Sequence, residues 1–569
     1  MTTTTDPVVQ ELTAPGGPFE IVVERVLGVP IQVYRDRLGS LRDVIEMADG
    51  RAGVDFLVQG DRRLTYDEHN ALVRRVAAGF VERGIGHGDR IAVLSANNVE
   101  WVVLFWAAAA IGAVVVPLNA WWKAEELRFG LEDSGARLLF CDRRRWDVVS
   151  DIVGELPSLE HVLVIDLDEP DDGARPSVEL LAADDPGVLP ASPSKDGSVV
   201  EDDLLAILYT SGTTGRPKGA TVTHRQAIAN LQNIFCLAMV AAKKGATPPG
   251  AGADQQAALL VVPLFHVTGC LATMTLCYAS GAKLVLMPPG KFDPDDAMAT
   301  IERERVTNIG GVPTVMWRIV EAPTLEKYDL SSVTRIGYGG APAPPELVAR
   351  IDEVFPSART TLSTAYGLTE TASIATSNAG SDYLTHPGSV GRPAPQVEIK
   401  VTDADGSEVP AGETGEIWLR GPTVMLRGYW NRPDATAEAV SEDGWFRSGD
   451  IGRFDADGFL YLVDRAKDMI IRGGENVYCV EVEQVLFEHP DVIDAAVVGV
   501  AHRELGEEVK AIVQLRDGAT ATGEDIGAFC SEHLASFKVP EYVELRDQPL
   551  PRNPAGKVLK RELRARYAG

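Results

Sequence analysis

From about Leu64 onward, segments with the apolar spacing of a helix alternate with segments that have the apolar spacing of a strand. Residues 64–84, LTYDEHNALVRRVAAGFVERG, have the apolar spacing of an amphipathic helix, and residues 89–96, DRIAVLSA, have that of a strand. Further short apolar runs bounded by turn residues are GARLLFCD (135–142), HVLVIDLD (161–168), AALLVVPL (257–264) and AKLVLMP (282–288). Helices that alternate with buried strands predict an α/β protein built in layers.

The most apolar segment, Trp101–Leu118, raises the question of a membrane span. It holds 18 residues without a charge, which is the lower edge of the length that crosses a bilayer. However, Ala107–Ala110 and the following Gly112 indicate the end of a tightly packed helix, and VVVP after them indicates a short buried strand. The pattern therefore favours a buried helix–strand pair over a membrane helix.

The pattern changes after about Asp464. Two strand-like runs, DAAVVGV and EVKAIVQL, are followed by a helical pattern at residues 523–534 and by a basic tail. A small unit of this size is typical of a separate domain. The sequence thus predicts two domains, residues 1–464 and residues 465–569.

Three segments are predicted to lie outside the packed core. Residues 1–17 lack the basic patch and apolar block of a signal peptide and are predicted to be a loose tail. Residues 166–203 and 246–256 are rich in small, polar and proline residues. Such compositions predict solvated surface loops.

The net charge of the chain limits the kinds of molecule that it is expected to bind. The 569 residues carry 54 Lys and Arg against 82 Asp and Glu, a formal net charge of −28. A surface this acidic repels nucleic acid and anionic lipid, so an anionic ligand requires a local site. Hydrophobic residues at 45% and charged residues at 24% exclude collagen-like, disordered and membrane-embedded classes. The six cysteines include no CxxC pair, which indicates neither a zinc site nor a disulfide framework and fits a reducing cytoplasm.

The strongest chemical signal is YTSGTTGRPKG, Tyr209–Gly219, directly after the strand-like run LLAIL. Its glycines allow a tight path, its hydroxyls stand beside backbone N–H groups, and Lys218 adds a point charge, so the loop can wrap a polyphosphate. A Walker A loop would need Gly at Pro217 and a hydroxyl at Gly219, and a plain linker would lack the flanking strand. The candidate phosphate-binding residues are Thr210, Ser211, Gly212, Thr213, Thr214, Gly215 and Lys218.

This loop resembles the phosphate loop of the adenylate-forming superfamily, which contains acyl-CoA synthetases, peptide-synthetase adenylation domains and firefly luciferases. Other segments resemble that family's further motifs in the expected order: YGGAP (338–342) its adenine-binding turn, TAYGLTE (364–370) its aromatic and metal-binding segment, WFRSGD (445–450) its ribose-binding motif, DRAKDMIIRGGENVYCVEVE (464–483) its hinge, and PRNPAGKVLK (551–560) its catalytic lysine segment. The resemblance covers all but the first few dozen residues. It implies an α/β fold with a large, multi-subdomain N-terminal adenylate-forming domain and a small, mobile α+β C-terminal domain.

Adenylation brings two anions together, because a carboxylate attacks the α-phosphorus of ATP and expels pyrophosphate. The matched residues can neutralise that charge. Glu370 is predicted to hold Mg²⁺ on the phosphates, and Thr214 and Lys218 are predicted to face the leaving group. Lys557 is predicted to contact the α-phosphate and the incoming carboxylate. Taken alone, Glu370 would fit an ordinary surface charge, but the ordered set of motifs favours the functional assignment.

The nucleoside has its own matched residues. Asp450 suits the ribose hydroxyls, Arg465 can reinforce that contact, and Tyr366 offers a ring for adenine. An isolated Asp after Gly is more often a turn residue or a helix cap. The remaining residues matched to nucleotide binding are Gly339, Gly340, Ala341, Pro342, Gly367 and Thr369.

The second half-reaction requires movement of the small domain. A thiol must reach the acyl carbonyl on the face that Lys557 occupied, and the resemblance implies a rotation about a hinge at Lys467. Gly473 and Gly474 are then predicted to line the path of a pantetheine arm, with a plain turn as the alternative. His266, in PLFHVTG, matches the position of the family's acyl-pocket entrance. It is predicted to act there as a gate or an orienting group, and the alternative is a structural histidine.

The sequence therefore predicts an ATP-dependent acyl-CoA ligase that acts on a free aliphatic carboxylic acid, with a fatty acid as the default substrate. ATP, Mg²⁺ and CoA are the expected cofactors, and neither nucleic acid nor a transmembrane segment is expected. One alternative is an enzyme that loads a carrier-protein phosphopantetheine, and another is a non-catalytic nucleotide-binding relative. Cys479 and Ser448 depart from the commoner Pro and Thr but leave the motifs complete.

Overall fold

The computed structural model describes residues 6–165, 182–183, 189, 198–210, 217–245, 254–339, 345–465, 468–473, 475–516, 518–553 and 556–567. The two segments predicted to be solvated loops, 166–203 and 246–256, lie largely outside these residues.

Strands are distributed over the whole described chain. In chain order they are β1 (Ile21–Val26), β2 (Val29–Tyr34), β3 (Asp55–Gln59), β4 (Arg62–Thr65), β5 (Arg90–Leu94), β6 (Val114–Pro117), β7 (Leu138–Asp142), β8 (His161–Ile165), β9 (Leu204–Thr210), β10 (Lys218–Thr223), β11 (Ala257–Leu260), β12 (Lys283–Leu286), β13 (Asn308–Gly311), β14 (Arg335–Gly339), β15 (Ser363–Tyr366), β16 (Thr376–Ala379), β17 (Arg392–Pro393), β18 (Glu398–Thr402), β19 (Gly415–Arg420), β20 (Phe446–Phe454), β21 (Leu460–Arg465), β22 (Ile470–Arg472), β23 (Glu475–Val477), β24 (Val492–His502), β25 (Gly506–Leu515) and β26 (Tyr542–Arg546).

Helices connect most of these strands. The α-helices are Pro7–Thr13, Leu41–Ala48, Tyr66–Glu82, Val99–Ile111, Ala124–Ser134, Arg143–Val153, His224–Lys243, Thr275–Ser280, Pro294–Glu304, Pro313–Val320, Pro345–Val354, Ser381–Thr385, Pro433–Ala439, Cys479–Phe487, Gly523–His533 and Lys560–Tyr567. A π-helical segment spans Thr268–Met274, and short 3₁₀ turns span Leu325–Lys327, Pro356–Thr361, Thr369–Thr371 and Ser536–Lys538.

Two largely parallel sheets form the large N-terminal body. One has the order β10-β9-β6-β5-β7-β8, and the other has the order β17-β16-β15-β14-β13-β11-β12-β3-β4. Antiparallel strands lie at one edge of the first sheet and at both edges of the second. A four-stranded antiparallel sheet, β18-β19-β20-β21, follows them. The predicted α/β class is confirmed.

The apolar segment that raised the membrane question lies at the centre of this body. Every residue of helix Val99–Ile111 is buried, and the buried cluster around it contains side chains of both large sheets. The side chain of Asn98 accepts the Trp101 N–H at 2.7 Å at its start, and Gly112 ends it in the left-handed region (φ +71°). The predicted helix–strand pair is confirmed as this helix and β6. Within the described residues, no helix is long and apolar enough to cross a membrane.

The prediction of a loose tail at residues 1–17 is wrong for the described part of that segment. Helix Pro7–Thr13 buries Val9 and Leu12 in a cluster with Cys236 and Val240 of helix His224–Lys243. The side chain of Asp6 accepts the Val8 N–H at 2.9 Å and caps its start. Seven residues are too few for a helix that is stable alone, so tertiary packing rather than local sequence stabilises this one.

The C-terminal unit has a mixed sheet of its own. β23, β22, β25 and β24 are antiparallel neighbours, and β26 joins β25 in parallel. Helices Cys479–Phe487 and Gly523–His533 pack in the cluster on one face, and Leu563 of the last helix packs on the other. The two predicted strands and the predicted helix at 523–534 are confirmed. The exact domain boundary at residue 464 stays a prediction.

Candidate active site

The ends of the glycine-rich loop are held by a hairpin. β9 and β10 are antiparallel, with Thr210 opposite Lys218, and the Thr210 hydroxyl donates to the Lys218 carbonyl at 3.3 Å. The sequence predicted a loop that leaves a strand, and the structure adds the strand that returns. The loop residues Ser211, Gly212, Thr213, Thr214 and Gly215 lie outside the described residues.

Lys218 and Glu370 meet through an aromatic ring that sequence reasoning missed. The Lys218 ammonium lies 5.2 Å from the centre of the Tyr429 ring, and the Tyr429 hydroxyl donates to Oε1 of Glu370 at 2.9 Å. Burial and the Glu370 charge raise the pKa of Tyr429 well above its usual range, so it stays a donor. The Met425 N–H donates to the Glu370 carbonyl at 2.9 Å and fixes that backbone. The structure therefore brings a cation and a carboxylate to one place.

The carboxylate of Glu370 suits a magnesium site in which the protein supplies few of the ligands. Within the described residues, no group of three or more His, Cys, Asp and Glu side chains is placed to hold a metal ion. Mg²⁺ is commonly bound by one or two carboxylates together with substrate phosphates and water, rather than by a cage of protein ligands. One carboxylate beside the anchored end of a phosphate loop matches that chemistry.

Two residues matched to nucleoside binding are hydrogen-bonded to each other. The Tyr366 hydroxyl donates to Oδ2 of Asp450 at 2.8 Å, and both residues are buried. The Ser448 hydroxyl accepts the Asp450 N–H at 3.0 Å, so serine serves where the commoner threonine is absent. In the ladder of β20 and β21, Asp450 lies opposite Arg465, whose side chain is outside the described atoms.

The neighbouring turns demand small residues. A Cβ on Gly367 would lie 1.4 Å from the Ser373 carbonyl oxygen, so only glycine fits there. Gly339 ends β14 opposite Ala365, and Thr369 begins a 3₁₀ turn that presents Glu370. The matched residues Gly340, Ala341 and Pro342 lie outside the described residues.

His266 stands just before the π-helical segment. Its ring packs on Phe265 with centroids 4.6 Å apart, and within the described chain its Nε2 has no hydrogen-bond partner. Burial and, to a smaller extent, the charge of Lys557 lower the pKa of His266 to about 4. The imidazole is therefore neutral at pH 7. π-helical turns are frequent at functional sites.

The C-terminal unit presents Lys557 to this histidine. Gly556 adopts φ +80°, and a Cβ there would lie 3.0 Å from Cγ2 of Val312 and 3.2 Å from Oγ1 of Thr314. The loop thus touches the large body through a left-handed glycine. Oδ1 of Asn553 accepts the Lys557 N–H at 2.9 Å and holds the turn.

Arg552 holds the same loop by hydrogen bonds within the C-terminal unit. Its guanidinium binds both oxygens of Asp494 at 2.7 and 2.8 Å and donates to the Gly556 carbonyl at 2.7 Å. Both bonds to Asp494 come from Nη2, and hydrogen bonds between charged groups are stronger than those between neutral groups. The backbone that carries Lys557 is therefore fixed to β24.

A cavity of about 1420 Å³ separates the large body from the C-terminal unit. Its walls combine apolar side chains of the body with the lysine loop and with helix Cys479–Phe487. Within the described chain, Phe265, Val312 and Lys557 line this cavity, whereas Glu370 and Asp450 do not. The cavity therefore includes the candidate lysine but not the carboxylates matched to nucleotide binding.

The hinge and its following turn are only partly described. Gly473, in the left-handed region (φ +60°), turns β22 into β23, and its N–H donates to the Leu505 carbonyl at 2.8 Å. Lys467 and Gly474 lie outside the described residues. The roles predicted for these three residues stay predictions.

Comparisons with known proteins agree with this geometry. The model of the family described as AMP-binding enzyme matches residues 46–430, and the model of the AMP-binding enzyme C-terminal domain matches residues 481–557. A feruloyl-CoA synthase of an Amycolatopsis species is 37% identical over 515 residues, 89% of this chain and 95% of that protein. A long-chain-fatty-acid–CoA ligase of Mycobacterium tuberculosis is 35% identical over 511 residues, 89% of this chain and 94% of that protein.

A solved structure gives the same result in three dimensions. ATP-bound MatB from Rhodopseudomonas palustris superposes with a TM-score of 0.80 at 29% identity, covering 93% of this chain and 99% of that one. The resemblance inferred from the ordered motifs is thereby confirmed. The chain belongs to the AMP-binding enzymes, as an AMP-forming acid–thiol ligase of the acyl-CoA synthetase type.

Proposed function

We propose that the protein activates a free carboxylic acid with ATP to an acyl-adenylate and then transfers the acyl group to CoA. The observation that carries this proposal is the docking of the Lys557 loop against Val312 and Thr314, next to His266. This places a cation from the mobile unit at the wall of an apolar cavity in a strongly acidic protein.

In the first step, a carboxylate oxygen bonds to the α-phosphorus while the bond to the pyrophosphate oxygen breaks. Lys557 offsets the charge of the carboxylate and the α-phosphate, and Lys218 offsets the charge of the leaving pyrophosphate. Glu370 would hold Mg²⁺, which supplies further positive charge on the phosphates. The Tyr429 hydroxyl orients the Glu370 carboxylate for that task.

No general base is needed in this step, because a carboxylic acid is already ionised at neutral pH. His266 is neutral and can orient the acyl group or close its pocket without adding charge. Asp450, which accepts a hydrogen bond from the Tyr366 hydroxyl, is assigned by this proposal to accept hydrogen bonds from ribose. These assignments follow matched position and local geometry.

In the second step, the CoA sulfur bonds to the acyl carbon, the bond to the AMP oxygen breaks, and the thiol proton passes to solvent or phosphate. The lysine loop occupies one approach to that carbon in the present arrangement. Rotation about Lys467 would clear it and bring the Gly473–Gly474 turn to the pantetheine arm.

The proposed substrate class is an apolar acid, with fatty acids first. One part of the cavity wall is apolar, which favours a hydrocarbon chain there, and charged side chains line other parts of the cavity. The apolar part includes Leu260, Val261, Phe265, Val312 and Trp317. The two relatives described above are named for an aromatic acid and for long-chain fatty acids, and both classes are apolar.

The test is AMP formation by the purified protein with ATP and Mg²⁺. Acids from acetate to long-chain fatty acids and a set of aryl acids, ferulate among them, are compared with and without CoA. We expect AMP and the corresponding acyl-CoA for long or aryl acids. Adenylate formation without use of CoA would indicate a carrier-protein acceptor, and absence of AMP with every acid would contradict the proposal.

A further inference from the structure

Arg516 links the C-terminal unit to the large body. Its Nη2 lies 2.8 Å from Oε2 of Glu346, and its Nη1 lies 3.7 Å from Oε1 of Glu321. On its own unit, its Nε donates to the Pro490 carbonyl at 2.9 Å and its backbone N–H donates to the Asp491 carbonyl at 2.8 Å. The guanidinium is therefore held by one unit and paired with carboxylates of the other.

Two of the contacts that the C-terminal unit makes with the large body fall at the ends of one short helix. Gly556, beside Lys557, touches Val312 and Thr314 at the start of helix Pro313–Val320. Glu321 caps the end of that helix and pairs with Arg516. Eight helical residues span about 12 Å. Two separated contacts on one rigid element restrict the orientation of the C-terminal unit more than a single contact would.

We propose that Arg516 is a positioning residue for adenylation, because its pairing with Glu346 and Glu321 holds the C-terminal unit in the orientation that delivers Lys557. This inference rests on the proposed function. The two carboxylates belong to the large body, so a rotation of the C-terminal unit about the hinge separates them from Arg516. The ion pairs then stabilise only one of the two working orientations.

The expected effect is modest and selective. All three side chains are partly exposed, at 35% for Arg516, 44% for Glu346 and 41% for Glu321. Partly exposed ion pairs of this kind shift an equilibrium by about two- to fivefold. A ligand or contact that favours one of two orientations changes the ratio of their populations by that same factor.

The first experiment separates the two half-reactions. Pyrophosphate release is measured with ATP and acid in the absence of CoA, and thioester formation is measured from supplied acyl-adenylate and CoA. Arg516→Ala should slow the first reaction about two- to fivefold and leave the second unchanged or faster. Arg516→Lys should retain most of the first rate. Equal changes in both reactions, or no change in either, would overturn the proposal.

Two comparisons exclude a general structural effect. Arg359 pairs with Asp352 of helix Pro345–Val354 at 3.3 Å, entirely within the large body, so Arg359→Ala should change neither half-reaction. In a background of Glu321→Gln and Glu346→Gln, Arg516→Ala should have no additional effect, because the acceptors are already neutral. An additional loss in that background would show that Arg516 acts elsewhere.

A second measurement does not depend on turnover. All six native cysteines are buried, so spin labels at Lys327→Cys and Glu524→Cys, both exposed positions on the two units, report the distance between them. Arg516→Ala should reduce the ratio of the native-distance population to the remaining population about two- to fivefold. An unchanged distribution would overturn the inference even if the ligase activity is found, whereas a shifted distribution without ligase activity would affect only the proposed function.

Discussion

At the scale of single residues, the site depends on where one lysine lies. Lys557 is exposed, yet its loop is fixed by Asn553 and Arg552 and by the close approach of Gly556 to the large body. This lysine is the one candidate catalytic residue here that the C-terminal unit supplies. Its role should therefore be confined to the step for which that unit is docked in this way.

Lys557→Ala should lower pyrophosphate release about a hundredfold or more, as expected for loss of a group that stabilises transition-state charge. Conversion of supplied acyl-adenylate and CoA to thioester should persist, because only the first step uses this charge. Rapid-quench assays of each half-reaction provide the measurement. Arg561→Ala, an exposed cation on the next helix, is the control, and equal losses in both steps would contradict the assignment.

Buried histidines set the acid limit of the fold. Burial lowers the pKa of His69 to about 3, and those of His224 and His266 to about 4. The unfolded chain binds a proton near pH 6.5, whereas the folded chain does not. The contribution of these three histidines to the free energy of unfolding is therefore fully present above pH 6.5. It is lost as the pH falls toward their pKa values in the folded protein.

His69 alone should contribute about 2 kcal/mol of that loss between pH 6.5 and pH 5. Its ring packs between Phe56 and Tyr278 and is fully buried. His69→Leu should therefore flatten the dependence of the free energy of unfolding on pH, as measured by urea denaturation. His533→Asn, at an exposed position, should leave the slope unchanged. An unaltered slope in His69→Leu would refute the argument.

Sequence predicted the site residues better than their connections. Lys218, Glu370, Tyr366 and Asp450 each stand in a short motif whose chemistry is carried by adjacent residues, so their types and order are visible in the chain. Tyr429 is not visible in this way. Its hydrogen bond to Glu370 forms because segments distant in sequence pack together. No motif around this tyrosine indicates that contact.

At the scale of elements, the long periodic segments were predicted and the short one was not. Helix Tyr66–Glu82 has a full amphipathic pattern and a capping box, Thr65 with Glu68. Helix Pro7–Thr13 has seven residues and only Val9 and Leu12 as fully buried apolar positions. Its stability comes from a partner helix more than two hundred positions away in sequence, which local reasoning cannot supply.

Leu12→Ala tests whether this first helix is part of the fold. Leu12 is 2% exposed, and truncation of a buried leucine costs about 2–5 kcal/mol. The free energy of unfolding of the large body, from urea titration, should fall by that amount. Glu11→Ala, which removes an exposed pair with Lys243, should cost about 0–1 kcal/mol. A loose tail would show no change in either variant.

At the scale of the whole molecule, the two units divide the chemistry between them. The residues matched to nucleotide binding belong to the large body, Lys557 belongs to the C-terminal unit, and Arg516 pairs across the two. In the proposed function, one arrangement of the units serves adenylation and thioester formation needs another. Residues 466–467 between β21 and β22 are the segment about which that change is proposed.

Lys467→Pro should impair thioester formation several-fold more than pyrophosphate release, because proline restricts φ at the proposed hinge. Lys467→Ala, which keeps the backbone free, should leave both steps near the wild-type rate. Single-turnover assays of the two half-reactions give the comparison. If proline slows both steps equally, the hinge does not lie at this residue.

The wholly buried helix Val99–Ile111 has a consequence for synthesis of the chain. Trp106 of this helix stacks on Tyr278 with ring centroids 4.1 Å apart, and 278 − 106 = 172 residues separate them. At about 5–20 residues per second, a ribosome needs about 9–34 s to add that length. During this interval the most apolar stretch of the protein has emerged before part of the surface that covers it, and we expect a chaperone to bind there.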